Sequence, residues 1–253
     1  MNAIYPDLKN KKILITGGGS GIGASIVEFF CEQRSNVFFI DVDKKESLKL
    51  INKIKKKRYK LPKFIECDLL NINKLQNLIK SIISKKGPIE VLVNNAANDQ
   101  RHRTEEVNEK YWENRVGVNL KHFFFASQAV INAMKKNKKG TIVNLGSVSW
   151  MLGEGDKVIY ETCKSAVVGL TRSFAQEFGK YNIRTNSVVP GSIATDRQIK
   201  FWLTPKYKKL ILEKQALKRQ LKPEDVAKVV LFLSSDQSSG CTKQEFLVDA
   251  GIV

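Results

Sequence analysis

The chain has 253 residues, 42% of them hydrophobic, and carries 43 Lys and Arg against 25 Asp and Glu, a formal net charge of +18. That length and apolar content suffice for one full core. No stretch approaches the ~18 apolar residues that span a bilayer, and no N-terminal apolar run resembles a signal peptide. The expectation is therefore a single domain over residues 1–253, cytoplasmic and without a membrane partner. Cys31, Cys67, Cys163 and Cys241 lack metal-ligand spacing and read as small packing residues, and with only His102 and His122 beside them no metal site is expected.

In chain order, Lys12 to Thr16 is a short β-branched run followed at once by Thr-Gly-Gly-Gly-Ser-Gly-Ile-Gly and then by an amphipathic stretch from Ile22 to Arg34. Strand, glycine turn and helix start come in the order a dinucleotide pyrophosphate site requires. Gly17, Gly21 and Gly23 let the backbone approach a phosphate with no Cβ in the way. The next strand, Asn36 to Ile40, ends at Asp41, where a carboxylate accepts from ribose hydroxyls and repels a 2′-phosphate. NAD rather than NADP is the expected cofactor, with Lys44 close enough in sequence to offset the repulsion. Lys63 to Asp68 is another strand ending in a carboxylate, and Asp68 has two readings, an adenine contact or a cap on the helix beginning near Asn71. Ile89 to Asn94 is a fourth strand, leading into Asn95-Ala96-Ala97.

Gly140 to Ser147 reads as a buried strand opening into a turn at Gly146. Ser147 then sits at a strand's C-terminal end, where open α/β sheets bind ligands, with Ser149 as a rival for the same role. From Lys157 to Gly179 apolar residues recur at intervals of three and four, a helix that places Tyr160 and Lys164 on one face. A nearby positive charge favours phenolate, so Tyr160 becomes a candidate general base tuned by Lys164. Ile193 to Gln220 interrupts the alternation as a mainly helical insertion, placed to be a substrate lid. The alternation of strand-like and helix-like segments from Lys12 to Val248 predicts an α/β fold, a Rossmann-type doubly wound parallel sheet with helices on both faces.

These motifs, ordered along essentially the whole chain, resemble the short-chain dehydrogenases/reductases: the glycine turn, Asp41, Cys67-Asp68-Leu69, Asn94-Asn95-Ala96-Ala97, Asn119, Ser147, Tyr160 with Lys164, Pro190-Gly191 with Thr195, and Val248-Asp249-Ala250-Gly251. The resemblance implies that Tyr160 is the catalytic acid or base, that Lys164 lowers its pKa and binds the nicotinamide ribose, that Ser147 fixes the reacting oxygen, and that Asn119 holds a relay water. It implies cofactor contacts from Gly17, Ser20, Gly21, Ile22, Gly23, Asp41, Asp68, Leu69, Asn95, Ala96, Tyr160, Lys164, Pro190 and Gly191, with Ile193 and Thr195 on the carboxamide side of the nicotinamide. It also implies a homotetramer or homodimer.

A narrower resemblance, carried by Asn94 to Arg103, Gly146 to Trp150, Thr195 to Gln198 with Trp202, and Cys241-Thr242 before Phe246, is to the branch that oxidises free aldoses at the anomeric carbon. It makes Asn98, Ser147, Ser149, Glu154, Tyr160, Gln198 and Trp202 the expected substrate residues, with Gln100 standing where an acidic residue is expected. Other classes fit less well. The basic clusters at Lys53 to Lys60, Lys135 to Lys139 and Lys206 to Lys209 lie far apart and carry no stacking or recognition-helix signature, so a small molecule rather than nucleic acid is the expected partner. A catalytically dead nucleotide sensor would have lost Tyr160, Lys164 or Ser147. A 3-oxoacyl thioester reductase predicts NADP preference and a basic residue near the glycine turn, where this chain offers Asp41.

Overall fold

The computed structural model of the chain describes residues 3–253. Seven strands form one parallel sheet: β1 (Lys12–Thr16), β2 (Asn36–Asp41), β3 (Lys63–Glu66), β4 (Val91–Asn94), β5 (Gly140–Leu145), β6 (Ile183–Pro190) and β7 (Glu245–Val248). Their order is β3-β2-β1-β4-β5-β6-β7, and every pairing is parallel. The β1 register runs Ile13 against Val37 on one side and Val91 on the other.

Parallel strands covered on both faces read as continuous apolar runs, and Ile13-Leu14-Ile15 and Val37-Phe38-Phe39-Ile40 are such runs. Successive side chains point to opposite faces. Ile13, Ile15, Val37 and Phe39 enter the core under α1 (Gly21–Glu32) with Ile26, Val27 and Phe30. Leu14, Phe38, Ile40 and Leu92 enter the other core with Leu75 and Ile79 of the helix that follows β3. Each such fully buried side chain is worth about 1.5–3 kcal/mol, so the sheet is clamped between two apolar layers.

The remaining helices in chain order are α2 (Lys44–Lys56), α3 (Ile72–Lys86), α4 (Glu109–Val116), α5 (His122–Asn137), α6 (Ser149–Leu152), α7 (Val158–Phe178), α8 (Asp196–Phe201), α9 (Pro205–Lys214) and α10 (Pro223–Ser234). Helix α10 joins α1 on one face, while α3, α5 and α7 cover the other. Between α4 and α5 the chain loosens into a π turn over Gly117–Lys121. The insertion from Ile193 to Gln220 holds α8 and α9, and Ile193 pairs with Leu221 where the insertion closes. Among the described residues no helix is long and apolar enough to cross a membrane.

The basic run after Lys53 is engaged within the fold. Lys53 (2.8 Å) and Lys57 both pair with the buried carboxylate of Glu28 on α1, and Lys60 donates to Asn10 and to the Arg34 carbonyl.

Strand order reverses between β1 and β4. In open α/β sheets the crevice beyond the strand ends at such a reversal is where ligands bind, and the glycine turn after β1 and Asn95-Ala96 after β4 meet there.

Candidate active site

The crevice is a cleft of about 650 Å³ whose wall includes Gly17, Ser20, Asp41, Asp68, Asn95, Ser147, Tyr160, Lys164, Thr195 and Gln198. At its nucleotide end, Gly17 (φ 66) and Gly21 (φ 54) hold the left-handed backbone that favours glycine. Ser20 sits at the N-cap of α1 without a side-chain capping bond, and no acidic residue lies in the first turn. The first-turn amides of α1 therefore face an anion seat. A Cβ on Gly23 would lie 1.9 Å from the Gly17 carbonyl oxygen. The turn is pinned to β4 by Asn95, whose side-chain amide donates to the carbonyls of Thr16 (3.1 Å) and Gly17 (2.8 Å), and whose backbone N–H donates to Thr16 Oγ1 (3.0 Å). A close backbone approach, uncapped amides and no room for a Cβ fit a dinucleotide pyrophosphate.

Asp41 is held in place. One carboxylate oxygen accepts from Gly19 N–H (2.8 Å) and the other from Asp43 N–H (2.9 Å). Lys44, the cation close to it in sequence, reaches Glu66 instead at 3.9 Å. Asp68 is not the cap of α3. That role belongs to Asn71, which accepts from Lys74 N–H (2.9 Å), while Asp68 accepts from Leu70 N–H and stands exposed on the cleft wall beside Leu69.

Tyr160 and Lys164 come together on α7 as their spacing predicts, with the Lys164 ammonium 5.5 Å from the centre of the Tyr160 ring. Lys164 is buried and donates to the Leu145 carbonyl at 2.6 Å, so the end of β5 fixes its position. Burial holds its pKa down to about 8, against raising contributions from the Cys163 and Asp99 charges. The Tyr160 phenol is pushed above its ordinary range, first by burial and next by the Asp99 carboxylate. A hydrogen bond with Ser147 works the other way, and Glu154 and Glu161 add to the rise. One of the three ammonium donors is taken by Leu145, which leaves the others free on the cleft side of Tyr160.

The rival serines are partners. Ser147 Oγ and Ser149 Oγ lie 2.9 Å apart, and Ser149 N–H donates to Ser147 Oγ at 3.2 Å, where α6 begins. Asn119, on the π turn, is fully buried, and its carboxamide closes around Asn98, accepting from its N–H (2.8 Å) and donating to its carbonyl (3.1 Å). It lies behind the cleft wall, where these two bonds position Asn98. Thr195 caps α8 by accepting from Gln198 N–H and faces the glycine turn, its methyl 3.3 Å from where a Cβ on Gly21 would stand. Gly191 lies so close to the chain after β7 that a Cβ there would be 2.8 Å from Asp249 Cα, while Pro190 and buried Ile193 line the cleft on either side of it.

At the substrate end Asn98, Glu154 and Gln198 line the cleft as expected. Trp202 does not. Its ring packs 4.4 Å under the Arg101 guanidinium, which is itself salt-bridged to Asp156 at 3.0 Å. The acidic residue sought at Gln100 is one position earlier. Asp99 lines the cleft and accepts from Gln198 Nε2 and from Arg197 Nε (3.3 Å), whereas Gln100 is exposed outside it. Asp99, Arg101, Lys157 and Tyr207 are wall residues that the sequence did not single out. Lys157 is buried among Glu154, Asp156 and Glu161, and Tyr207 of α9 donates to Glu154 at 3.1 Å. The insertion is thus fastened over the cleft through α8 to Asp99 and through α9 to Glu154.

A parallel α/β sheet with an anion seat at one end of its cleft and a half-buried Tyr160 beside buried Lys164 at the other defines a nucleotide-dependent oxidoreductase. A family model described as Enoyl-(Acyl carrier protein) reductase matches residues 17–253, and the chain belongs to the short-chain dehydrogenase/reductase family. It is 44% identical over 250 residues to D-xylose 1-dehydrogenase of Caulobacter vibrioides, covering 99% of this chain and 98% of that protein. It is 40% identical over 248 residues to the Rhizobium meliloti protein named "Probable galactose dehydrogenase GalD", covering 98% of this chain and 97% of that one. Among solved structures, a 3-oxoacyl-[acyl-carrier protein] reductase with bound NAD from Brucella melitensis superposes with a TM-score of 0.88 at 28% identity, covering 98% of this chain and 93% of that one.

Proposed function

We propose that this oxidoreductase uses NAD to oxidise a free aldose at its anomeric carbon, releasing the aldonolactone. The observation that carries the reading is the substrate end of the cleft. Ser147, Ser149, Asn98, Asp99, Glu154 and Gln198 form a wall of hydrogen-bonding groups around Tyr160, suited to a polyol and ill suited to an acyl chain. The 44% identity to a protein named D-xylose 1-dehydrogenase supports it.

Asp41, fixed by two backbone amides and left uncompensated by Lys44, accepts the ribose hydroxyls and disfavours a 2′-phosphate. The α1 N-terminus and the glycine turn take the pyrophosphate. Ser147 orients the anomeric hydroxyl toward Tyr160, and Tyr160 as phenolate takes its proton. NAD held in this cleft would supply a hydride acceptor for the anomeric carbon, and loss of that hydride together with the proton taken by Tyr160 leaves the lactone carbonyl. Lys164 is anchored at Leu145 where it orients the nicotinamide ribose. The contacts of Gln198 with Asp99 and of Tyr207 with Glu154 hold the insertion over the substrate end of the cleft.

The test is NADH formation with a panel of free pentoses and hexoses, with NADP run in parallel. Saturable activity with at least one aldose and a preference for NAD are expected. If no aldose reacts while a secondary alcohol or a 3-hydroxyacyl thioester does, the sugar reading fails.

A further inference from the structure

Asp99 stands where three parts of the site meet. It follows Asn98, whose backbone is fixed from behind by Asn119, so the main chain leading into Asp99 is rigid. Its carboxylate is 23% exposed, on the cleft wall, and takes one donor on each oxygen, Arg197 Nε and Gln198 Nε2, both from α8. A carboxylate has about four lone-pair positions and no proton to give. With two occupied, the remaining acceptor capacity opens on the cleft that Tyr160 and Ser147 also line. A group of this kind selects for a hydroxyl that donates.

We propose that Asp99 is the specificity-determining residue of the substrate seat, accepting a hydrogen bond from one sugar hydroxyl other than the anomeric one. Arg197 and Gln198 present it, so that the lid and the substrate share a single carboxylate. For the identity of the substrate this rests on the sugar reading above. For the presence of a substrate-facing negative charge it does not.

The same charge reaches the base. Among the groups facing Tyr160, Lys164 and Glu161 lie on α7, Ser147 follows β5, Glu154 precedes α7, and Asp99 is the carboxylate that most raises the phenol. The cations facing Asp99 are Arg197 across the seat and buried Lys164 below. Replacing Asp99 with Asn keeps its size and an oxygen for Gln198 while deleting the charge. It should therefore lower the apparent pKa of the base, a change that a merely structural contact would not produce.

The experiment compares wild type and Asp99→Asn with a parent aldose and its monodeoxyfluoro derivatives, since fluorine accepts but cannot donate. In wild type, one derivative should lose roughly a hundredfold in kcat/KM, the size of a charged hydrogen bond. In Asp99→Asn the same derivative should lose no more than the others. The acidic limb of the kcat/KM profile should move to lower pH in the variant. Position-independent losses together with an unmoved limb overturn the proposal. Absence of any aldose activity in wild type refutes the sugar reading instead, and the pH limb measured with whichever alcohol is oxidised then decides the role of Asp99. A thermal midpoint of the variant close to wild type separates these outcomes from misfolding, and Asp99→Ser provides a second uncharged variant should Asn fail to fold.

Discussion

Replacing Gly23 with Ala should damage nucleotide binding far more than folding. The added Cβ would sit 1.9 Å from the Gly17 carbonyl oxygen and 2.6 Å from Asn95 Nδ2. Real contacts of this kind stay beyond 3.0 Å, so the turn must open by about 1.1 Å. That stretches the Asn95 bonds to Thr16 and Gly17 from 3.1 and 2.8 Å to about 4 Å, outside hydrogen-bond range. Losing two such bonds costs about 2 kcal/mol, against about 1 kcal/mol gained from Ala over Gly inside a helix. The net loss of about 1 kcal/mol should lower the thermal midpoint by about 2–4 °C for a chain of this length. The anion seat moves by the full displacement, and a loss of about 2–3 kcal/mol there weakens NADH binding by roughly 30- to 150-fold. Fluorescence titration with NADH alongside a thermal melt measures both. A dissociation constant within about threefold of wild type would refute the view that this turn carries the pyrophosphate.

Tyr160→Phe removes the proton acceptor with little change in volume, so kcat should fall by about three orders of magnitude or more while NADH still binds, as read by single-turnover kinetics and titration. Near-normal turnover would place the base elsewhere. Asp41→Ser should raise KM for NAD and lower KM for NADP, narrowing the ratio of their kcat/KM values by at least roughly tenfold. An unchanged ratio removes Asp41 from cofactor choice. Lys164 is held at about 8 against an ordinary 10.5, so between those values the unfolded chain binds more protons than the folded one, and this group's contribution to stability rises with pH. The thermal midpoint of Lys164→Met relative to wild type should accordingly be most favourable near neutral pH and decline as the pH is raised through 8 toward 10. A difference constant with pH would show that the ammonium is not destabilised by burial.

Much of this was legible in the chain because it depends on local chemistry. KILIT before a glycine turn specifies a strand, a tight turn and a helix start within a dozen residues, and β1 and α1 fall where those residues put them. Tyr160 and Lys164 share a helix face whatever surrounds them. The Asp68 ambiguity was also resolvable in principle, since Asn71 immediately precedes the helix and is an equally good cap. What the sequence did not disclose depends on distant segments meeting. Asp99 becomes part of the seat only when α8, nearly a hundred residues on, delivers Arg197 and Gln198 to it. In a loop with no periodicity nothing distinguishes its side chain from that of Gln100. Trp202 was expected among the substrate residues, but Arg101 covers it, a cation–π pairing that spacing cannot reveal. The upward shift of Tyr160 arises first from burial and next from Asp99, some sixty residues earlier in the chain, with Glu154 and the adjacent Glu161 adding to it.

The fastening of the insertion has a consequence for how the cleft opens. Helix α8 buries no side chain and α9 buries only Ile211, so these turns are held to the body mainly by Asp99, Glu154 and the Arg101 stack. A few polar contacts of about 1 kcal/mol each separate shut from open, far less than the sheet core would require. Segment 196–214 should therefore exchange its amide hydrogens by local opening while β1, β4 and β5 stay protected. Because Thr195 at the root of this segment also faces Gly21, the flap reaches both the Asp99 end of the cleft and the glycine turn. One hinge there would act on both ends of the cleft at once.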